Sequence, residues 1–310
     1  MTDETASPNA APTGDSSAAS RARESNDDND SESNRRGRAN APPADASVDP
    51  EPRSGTRSER DSTPETDRAP VLEATDVDHA YGDVSVLEDL SMAVDAGAVT
   101  ALVGPNGSGK TTLLRVLAGL LEPTSGSVAY EGREAVRRIG YLPQQPAFRP
   151  GFTVLETLEF YSSLVGADAD DAMGRLETVG LADAADRPVE ALSGGMTRLA
   201  GIAQATIGDP PVVVLDEPAS GLDPGMSRHV FEIASEFAAE GTAVLLSSHD
   251  LGLVDRVADE VAILDEGRIV RRGPPAALRA DLGVDSLRGV YEESVAAEAG
   301  TVRVQGVTDE

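Results

Sequence analysis

The chain contains no cysteine and no tryptophan, and only one lysine in 310 residues. Without cysteine, disulfides, zinc–thiolate sites and thiol nucleophiles are excluded. Aromatic residues make up only 3% of the sequence. No apolar run approaches the ~18 residues that span a bilayer. The first residues show neither the basic start nor the apolar stretch of a secretion signal. Positive charge is scarce as well: 26 basic residues stand against 54 acidic ones, a formal net charge of −28. That excess argues against a general nucleic-acid binder, which needs a basic face. It argues equally against docking on anionic lipid by charge alone. One reading is a solvated acidic surface. The other is a surface suited to molar salt, where the screening length falls to about 3 Å and like charges repel little. The depletion of lysine beside the acidity favours the second.

Against 25 arginines, the single lysine occupies a special place. It is Lys110 in Gly104-Pro105-Asn106-Gly107-Ser108-Gly109-Lys110-Thr111-Thr112. This segment fits the phosphate-binding pattern G-x-x-x-x-G-K-[ST], in which backbone N–H groups cradle phosphates and the lysine reaches their outer oxygens. A compact ammonium fits between two phosphates where a planar guanidinium is too wide.

Residues 1–70 contain no Leu, Ile, Phe, Tyr or Trp, and carry 15 acidic residues and nine Arg. Such a stretch cannot bury enough apolar surface to offset its ordering entropy, so it is expected to be a disordered acidic tail. The expected folded body is 71–290, followed by a C-terminal tail at 291–310. Val84–Val94 reads as a short strand region with a turn. Val99–Val103 is a buried strand leading into the Gly-rich loop, and Thr111–Leu121 an apolar helix after it, the context that points helix N–H groups at a phosphate. Further buried strands are Val212–Leu215 ending in Asp216-Glu217, Thr242–Leu246 ending in Ser247-Ser248-His249, and Val261–Leu264 turning through Asp265-Glu266-Gly267 into Arg268-Ile269-Val270. Apolar strands alternating with helices predict a parallel sheet covered on both faces, with ligands at the strand ends. Residues about 150–207 are expected to form a separate helical lobe.

The order of signals is specific. Tyr81 precedes the loop and Gln144 follows it. Leu192-Ser193-Gly194-Gly195-Met196, Asp216-Glu217, Ser220-Gly221-Leu222-Asp223 and His249 come after. Over residues 71–290 this set closely resembles the ATP-binding subunit of ABC transporters. The resemblance implies an α/β fold: a P-loop NTPase cassette with a RecA-like core, an antiparallel β subdomain and a helical signature subdomain. It implies ATP and Mg²⁺ as cofactors and ATP hydrolysis coupled to transport as the activity. Glu217 would be the general base and His249 its partner at the γ-phosphate. Thr111, Asp216 and Gln144 would attend the metal, and Tyr81 would stack on adenine. A strand-end cap for Asp216-Glu217 and an ordinary turn for Tyr81-Gly82 are the plainer alternatives, and Gln145 is a second candidate beside Gln144. Leu192 to Met196 would address the ATP held by a second copy in a head-to-tail dimer, and Asp223 would link the two sites.

Two positions depart from the family pattern. Met196 replaces the common glutamine, and Leu199 stands where an arginine is usual, with Arg198 just before it. Methionine there, and the closing segment Asp285–Glu292, are similar to ATPases working with ABC-2 type permeases. Gly208-Asp209-Pro210-Pro211 and Glu217–Pro224 look like the ATPases of copper-processing systems; drug, lipid or polysaccharide export remain open. The acidity also fits a halophile's proteome by resemblance. The expected partners are an integral membrane permease and a second ATPase copy, with no nucleic acid, at the cytoplasmic face of the membrane. Phe148, Phe152, Phe160 and Tyr161 either receive the permease or pack the helical lobe. A soluble ABC ATPase acting on nucleic acid, ribosomes or iron–sulfur assembly is the competing function.

Overall fold

A computed structural model describes residues 68–299. Residues 1–67, hence nearly all of the expected tail, and residues 300–310 lie outside the described residues. The described chain opens with a hairpin of two 12-residue strands, β1 (Pro70–Tyr81) and β2 (Val84–Asp95). Their two-residue connection is Gly82-Asp83, with Gly82 at φ 60°. The turn expected inside 84–94 is therefore not a turn. Glu88-Asp89 marks an irregularity in a continuous strand: Asp89 adopts φ 49°, and its N–H donates to Asp78 Oδ1 at 2.9 Å. On β1, Asp76 sits at φ 48° and donates its N–H to Ser91 Oγ at 2.9 Å. Short polar side chains that bond the local backbone let a bulge replace a break.

β3 (Val99–Val103) is wholly buried and runs into the Gly-rich loop, which opens α1 (Lys110–Leu117). β4 (Ser125–Tyr130) returns to pair with β1, completing a three-stranded antiparallel sheet in the order β2-β1-β4. β5 (Ile139–Leu142) then begins the larger sheet. The helices α2 (Val154–Val165), α3 (Ala169–Thr178) and α4 (Gly194–Thr206) follow. Thr153 and Glu156 form a reciprocal capping box at the start of α2, and Gly166 ends it in the left-handed conformation. The chain alternates again through β6 (Val212–Leu215), α5 (Pro224–Ala239), β7 (Ala243–Ser247), α6 (Leu251–Val257) and β8 (Glu260–Asp265). It closes with β9 (Arg268–Gly273), α7 (Pro275–Leu282) and α8 (Leu287–Ala299).

The larger sheet has six strands in the order β5-β6-β7-β3-β8-β9, parallel except for β9. Alternate residues of its central strands feed two cores. Val99, Ala101, Val103, Val213, Leu215, Val244 and Leu246 face the helices of one side. Leu102, Val212, Val214, Leu245 and Leu264 pack with α1 and β2 on the other. Burial on both faces explains the unbroken Val/Leu runs that made these strands readable. The strand order makes β3 central, with β7 and β8 beside it, so the loops after β3, β6 and β7 open on one edge.

A polar joint ties α3 to the entry of β6. Arg175 pairs with Asp171 at 3.0 Å and with Asp209 at 2.5 Å. The Gly208 N–H donates to Asp171 Oδ2 at 3.0 Å, and Arg133 donates to the Asp209 carbonyl at 2.5 Å. At the other end, the expected boundary at residue 290 falls inside α8, where Val290 and Ser294 are buried, so the folded body continues beyond it.

Candidate functional site

The phosphate-binding loop is fixed by close backbone approaches. A Cβ at Gly104 would lie 2.1 Å from the Leu264 carbonyl oxygen, so only glycine fits. Gly109 caps α1 at φ 101°, and a Cβ there would meet the Val86 oxygen at 2.8 Å. Ser108 donates its N–H to Pro105 O at 3.3 Å and accepts from Gly267 N at 3.1 Å, pinning the loop to the β8–β9 turn. Asn106 and Gly107 are exposed at the tip. Lys110 is buried, and its ammonium donates to the carbonyls of Gly104 at 2.8 Å and Pro105 at 2.9 Å. Burial pushes the lysine below its ordinary pKa, while the negative charges of Glu217 and Asp216 oppose that shift. Thr112 points into the buried side of α1.

Thr111, the second residue of α1, donates Oγ1–H to Asp216 Oδ1 at 3.2 Å. Asp216 follows β6 directly and is 1% exposed. Glu217 comes next, with φ 48°, uncommon for a non-glycine residue. Its two carboxylate oxygens are both engaged: Oε2 accepts from Gln144 Nε2 at 2.8 Å, and Oε1 lies 2.6 Å from His249 Nε2. Lys110, Thr111, Gln144, Asp216, Glu217 and His249 thus converge on one edge of the sheet, where strand ends hold ligands in such folds. Gln145 has no part in this cluster's hydrogen bonds.

Tyr81 is the last residue of β1, and the turn that follows it is Gly82-Asp83. Its ring is 49% exposed and stands edge-on to His79 with centroids 4.7 Å apart. Ser193 caps α4, its hydroxyl accepting from Met196 N at 3.3 Å and its carbonyl from Thr197 Oγ1 at 3.0 Å. Gly194 and Gly195 form the first turn, with open space around Gly194. Leu192 and Met196 pack against the core. These bonds stay within the segment itself and do not reach the phosphate loop. Asp223 serves as the N-cap of α5, accepting from Gly225 N at 2.9 Å and Met226 N at 3.1 Å.

Several residues of the site carried no motif. Arg198 is buried and donates to the carbonyls of Gln144 at 2.6 Å, Pro143 at 3.4 Å and Ser220 at 3.5 Å. It thereby joins α4 to the loop bearing Gln144 and to the segment after Glu217. This is how the signature helix is held although position 199 is leucine, which is buried in the core. Burial lowers the Arg198 pKa, opposed by Asp216 and Glu217. Tyr141 of β5, three residues before Gln144, points its hydroxyl at Asp216 Oδ2 from 3.5 Å. Burial raises the phenol's pKa. Of the four aromatics expected to dock a partner or pack the lobe, Phe148 and Tyr161 pack against the core. Phe152 and Phe160 are 37% and 56% exposed, the latter one turn before Leu164 at 64%.

The model of the ABC transporter family matches residues 87–220. The chain is 35% identical over 253 residues to the Nod factor export ATP-binding protein I of Ralstonia nicotianae, covering 78% of each. It is 36% identical over 241 residues to the daunorubicin resistance ATP-binding protein DrrA3 of Streptomyces coeruleorubidus, covering 74% of this chain and 76% of that one. Among solved structures, a bacterial ABC transporter cassette in dimeric form superposes with a TM-score of 0.60 at 25% identity, covering 66% of this chain and 98% of that one.

Proposed function

The chain belongs to the family of ABC transporter ATP-binding proteins, and from that premise we propose that it is the motor subunit of an export complex, hydrolysing ATP to drive a separate ABC-2 type permease. The observation that carries the proposal is Glu217, held at the end of a buried strand between Gln144 and His249 on the edge that also presents Lys110. A carboxylate so placed accepts the proton of the attacking water, and His249 orients both. Lys110 exchanges its two loop carbonyls for phosphate oxygens.

The oxygen donors Thr111 and Asp216 suit Mg²⁺, a hard cation held through one or two carboxylates and substrate phosphates. Bound there, Mg²⁺ would neutralise charge on the phosphates. The exposed N-terminus of α4 at Ser193-Gly194-Gly195 would meet the γ-phosphate held by a second copy, as a helix start favours an anion. No helix among the described residues is long and apolar enough to cross a membrane. Attachment at the cytoplasmic face would run through the permease, with Phe152, Phe160 and Leu164 as the docking face. Gly208 and Asp209 form the joint with Asp171, Arg175 and Arg133.

Glu217→Gln tests the chemistry. It should keep ATP binding, accumulate an ATP-stable dimer and lose turnover by at least about 100-fold. Turnover at the wild-type rate would refute Glu217 as the base. The same variant, tagged and isolated from detergent-solubilised membranes with ATP, should bring down a multi-span protein in stoichiometric amount. Recovery from the soluble fraction with ribosomal or cluster-assembly proteins would sink the transport reading and leave the ATP chemistry standing.

A further inference from the structure

β7 is an apolar strand whose last residue is a serine with 0% exposure. The Ser247 hydroxyl lies between the two acidic residues that follow β6. It accepts from the Glu217 backbone N–H at 2.8 Å and donates to Asp216 Oδ1 at 2.9 Å. The direction of both bonds is set by the partners, since an amide N–H only donates and a carboxylate only accepts. The next residue acts elsewhere. Ser248 Oγ accepts from Asp250 N at 3.0 Å, fixing the turn that carries His249. Asp250 in turn caps α6 through Leu253 N at 3.0 Å. The end of β7 therefore works in two directions, inward to the acidic pair and outward to the histidine.

The inward bond bears on Glu217. Its backbone stands at φ 48°, a conformation that persists in non-glycine residues only when the surroundings enforce it. Ser247 supplies that enforcement through the N–H, while its other bond, together with Thr111, fixes which oxygen of Asp216 is committed to the protein.

We propose that Ser247 is a positioning residue for ATP hydrolysis: one buried hydroxyl sets the backbone of Glu217 and the carboxylate of Asp216 together. The inference rests on the reading of Glu217 as the general base. Ser247→Ala and Ser247→Thr in the full chain, assayed in molar KCl, test it. The alanine variant should lower kcat about 10- to 100-fold, as loss of a supporting hydrogen bond at a reacting site does. Its Kd for a fluorescent ATP analogue, measured with EDTA and no metal, should stay within about twofold of wild type, because the hydroxyl makes no contact with the phosphate loop. Threonine, which keeps the hydroxyl, should restore most of kcat. If alanine does not fold, Ser247→Cys, a weaker donor of similar size, should show the same split. Wild-type kcat in the alanine or cysteine variant overturns the proposal, and so does an equal loss of kcat and analogue binding that threonine does not rescue. Glu217→Gln run in parallel separates the two readings. Retained turnover there removes Glu217 as the base and this inference with it, whereas lost turnover beside a wild-type kcat in Ser247→Ala removes the inference alone.

Discussion

Both oxygens of Glu217 are occupied, one by the amide of Gln144 and one by the ring of His249. The orientation of the carboxylate is thus decided by two side chains from different loops, and its backbone by a third from β7. Lys110 is equally specific. Its ammonium reaches two carbonyls six and five residues back along the chain, inside a loop where Gly104 leaves no room for a Cβ. A guanidinium is planar and cannot pivot as a point charge in that space. Lys110→Arg should weaken ATP binding at least about tenfold while leaving the fold intact, a difference readable by equilibrium binding beside thermal unfolding. Equal affinity in the two proteins would show that the sole lysine is incidental.

Among the elements, one ion pair joins the antiparallel sheet to the larger one: Arg268 of β9 pairs with Glu88 of β2 at 2.6 Å. Within the antiparallel sheet, Asp78 of β1 ties its neighbours together, accepting from Ser125 Oγ of β4 at 2.6 Å and from Asp89 N of β2 at 2.9 Å. The Ser125 hydroxyl chiefly, then the Asp89 N–H, hold Asp78 below the usual carboxylate range; Arg268 does the same for Glu88. A depressed carboxylate pKa contributes stability above the unfolded value, and that contribution is lost as pH falls through the folded value. Asp78→Asn should therefore lower Tm near neutral pH, and the gap to the wild type should close as pH falls through the depressed folded value. A gap that stays constant as pH falls, with the carboxylates protonated, would mean the carboxylate charge is not the cause. The elements also show what the sequence could convey. β3, β6, β7 and β8 were legible because burial on both faces demands unbroken apolar runs. β5 was not: it has four residues, follows Arg137-Arg138, and owes its place to pairing with β6. The phosphate loop is contiguous, so it announces itself. Ser247 lies 31 residues from Asp216 and Arg198 lies 54 from Gln144, and only folding reveals such pairings. A serine closing an apolar strand reads as the place where the strand meets water; instead it is the most enclosed polar residue of the site.

For the whole molecule, charge dominates. The full chain carries −28, of which −22 lies outside its first 70 residues. In dilute buffer such a surface repels itself, and added salt screens it over about 10 Å at 0.1 M and 3 Å at 1 M. Tm should rise steadily from about 0.1 to 2 M KCl, beyond the point where an ordinary protein has levelled off, and ATP hydrolysis should rise with it. A flat Tm across that range would assign the acidity to solubility alone. Within this field the phosphate loop carries the sole lysine of the chain. Because Lys110 already holds two carbonyl oxygens, nucleotide entry at the proposed site would be an exchange and not an addition. What ATP gains is the difference between phosphate and carbonyl as partners for one ammonium, and charged acceptors exceed neutral ones about twofold in strength. A polyphosphate can win that contest, whereas a singly charged or neutral solute offers the lysine little that it does not already have. The loop is its own competitive inhibitor, and selectivity for highly charged ligands follows from the two bonds that must be surrendered.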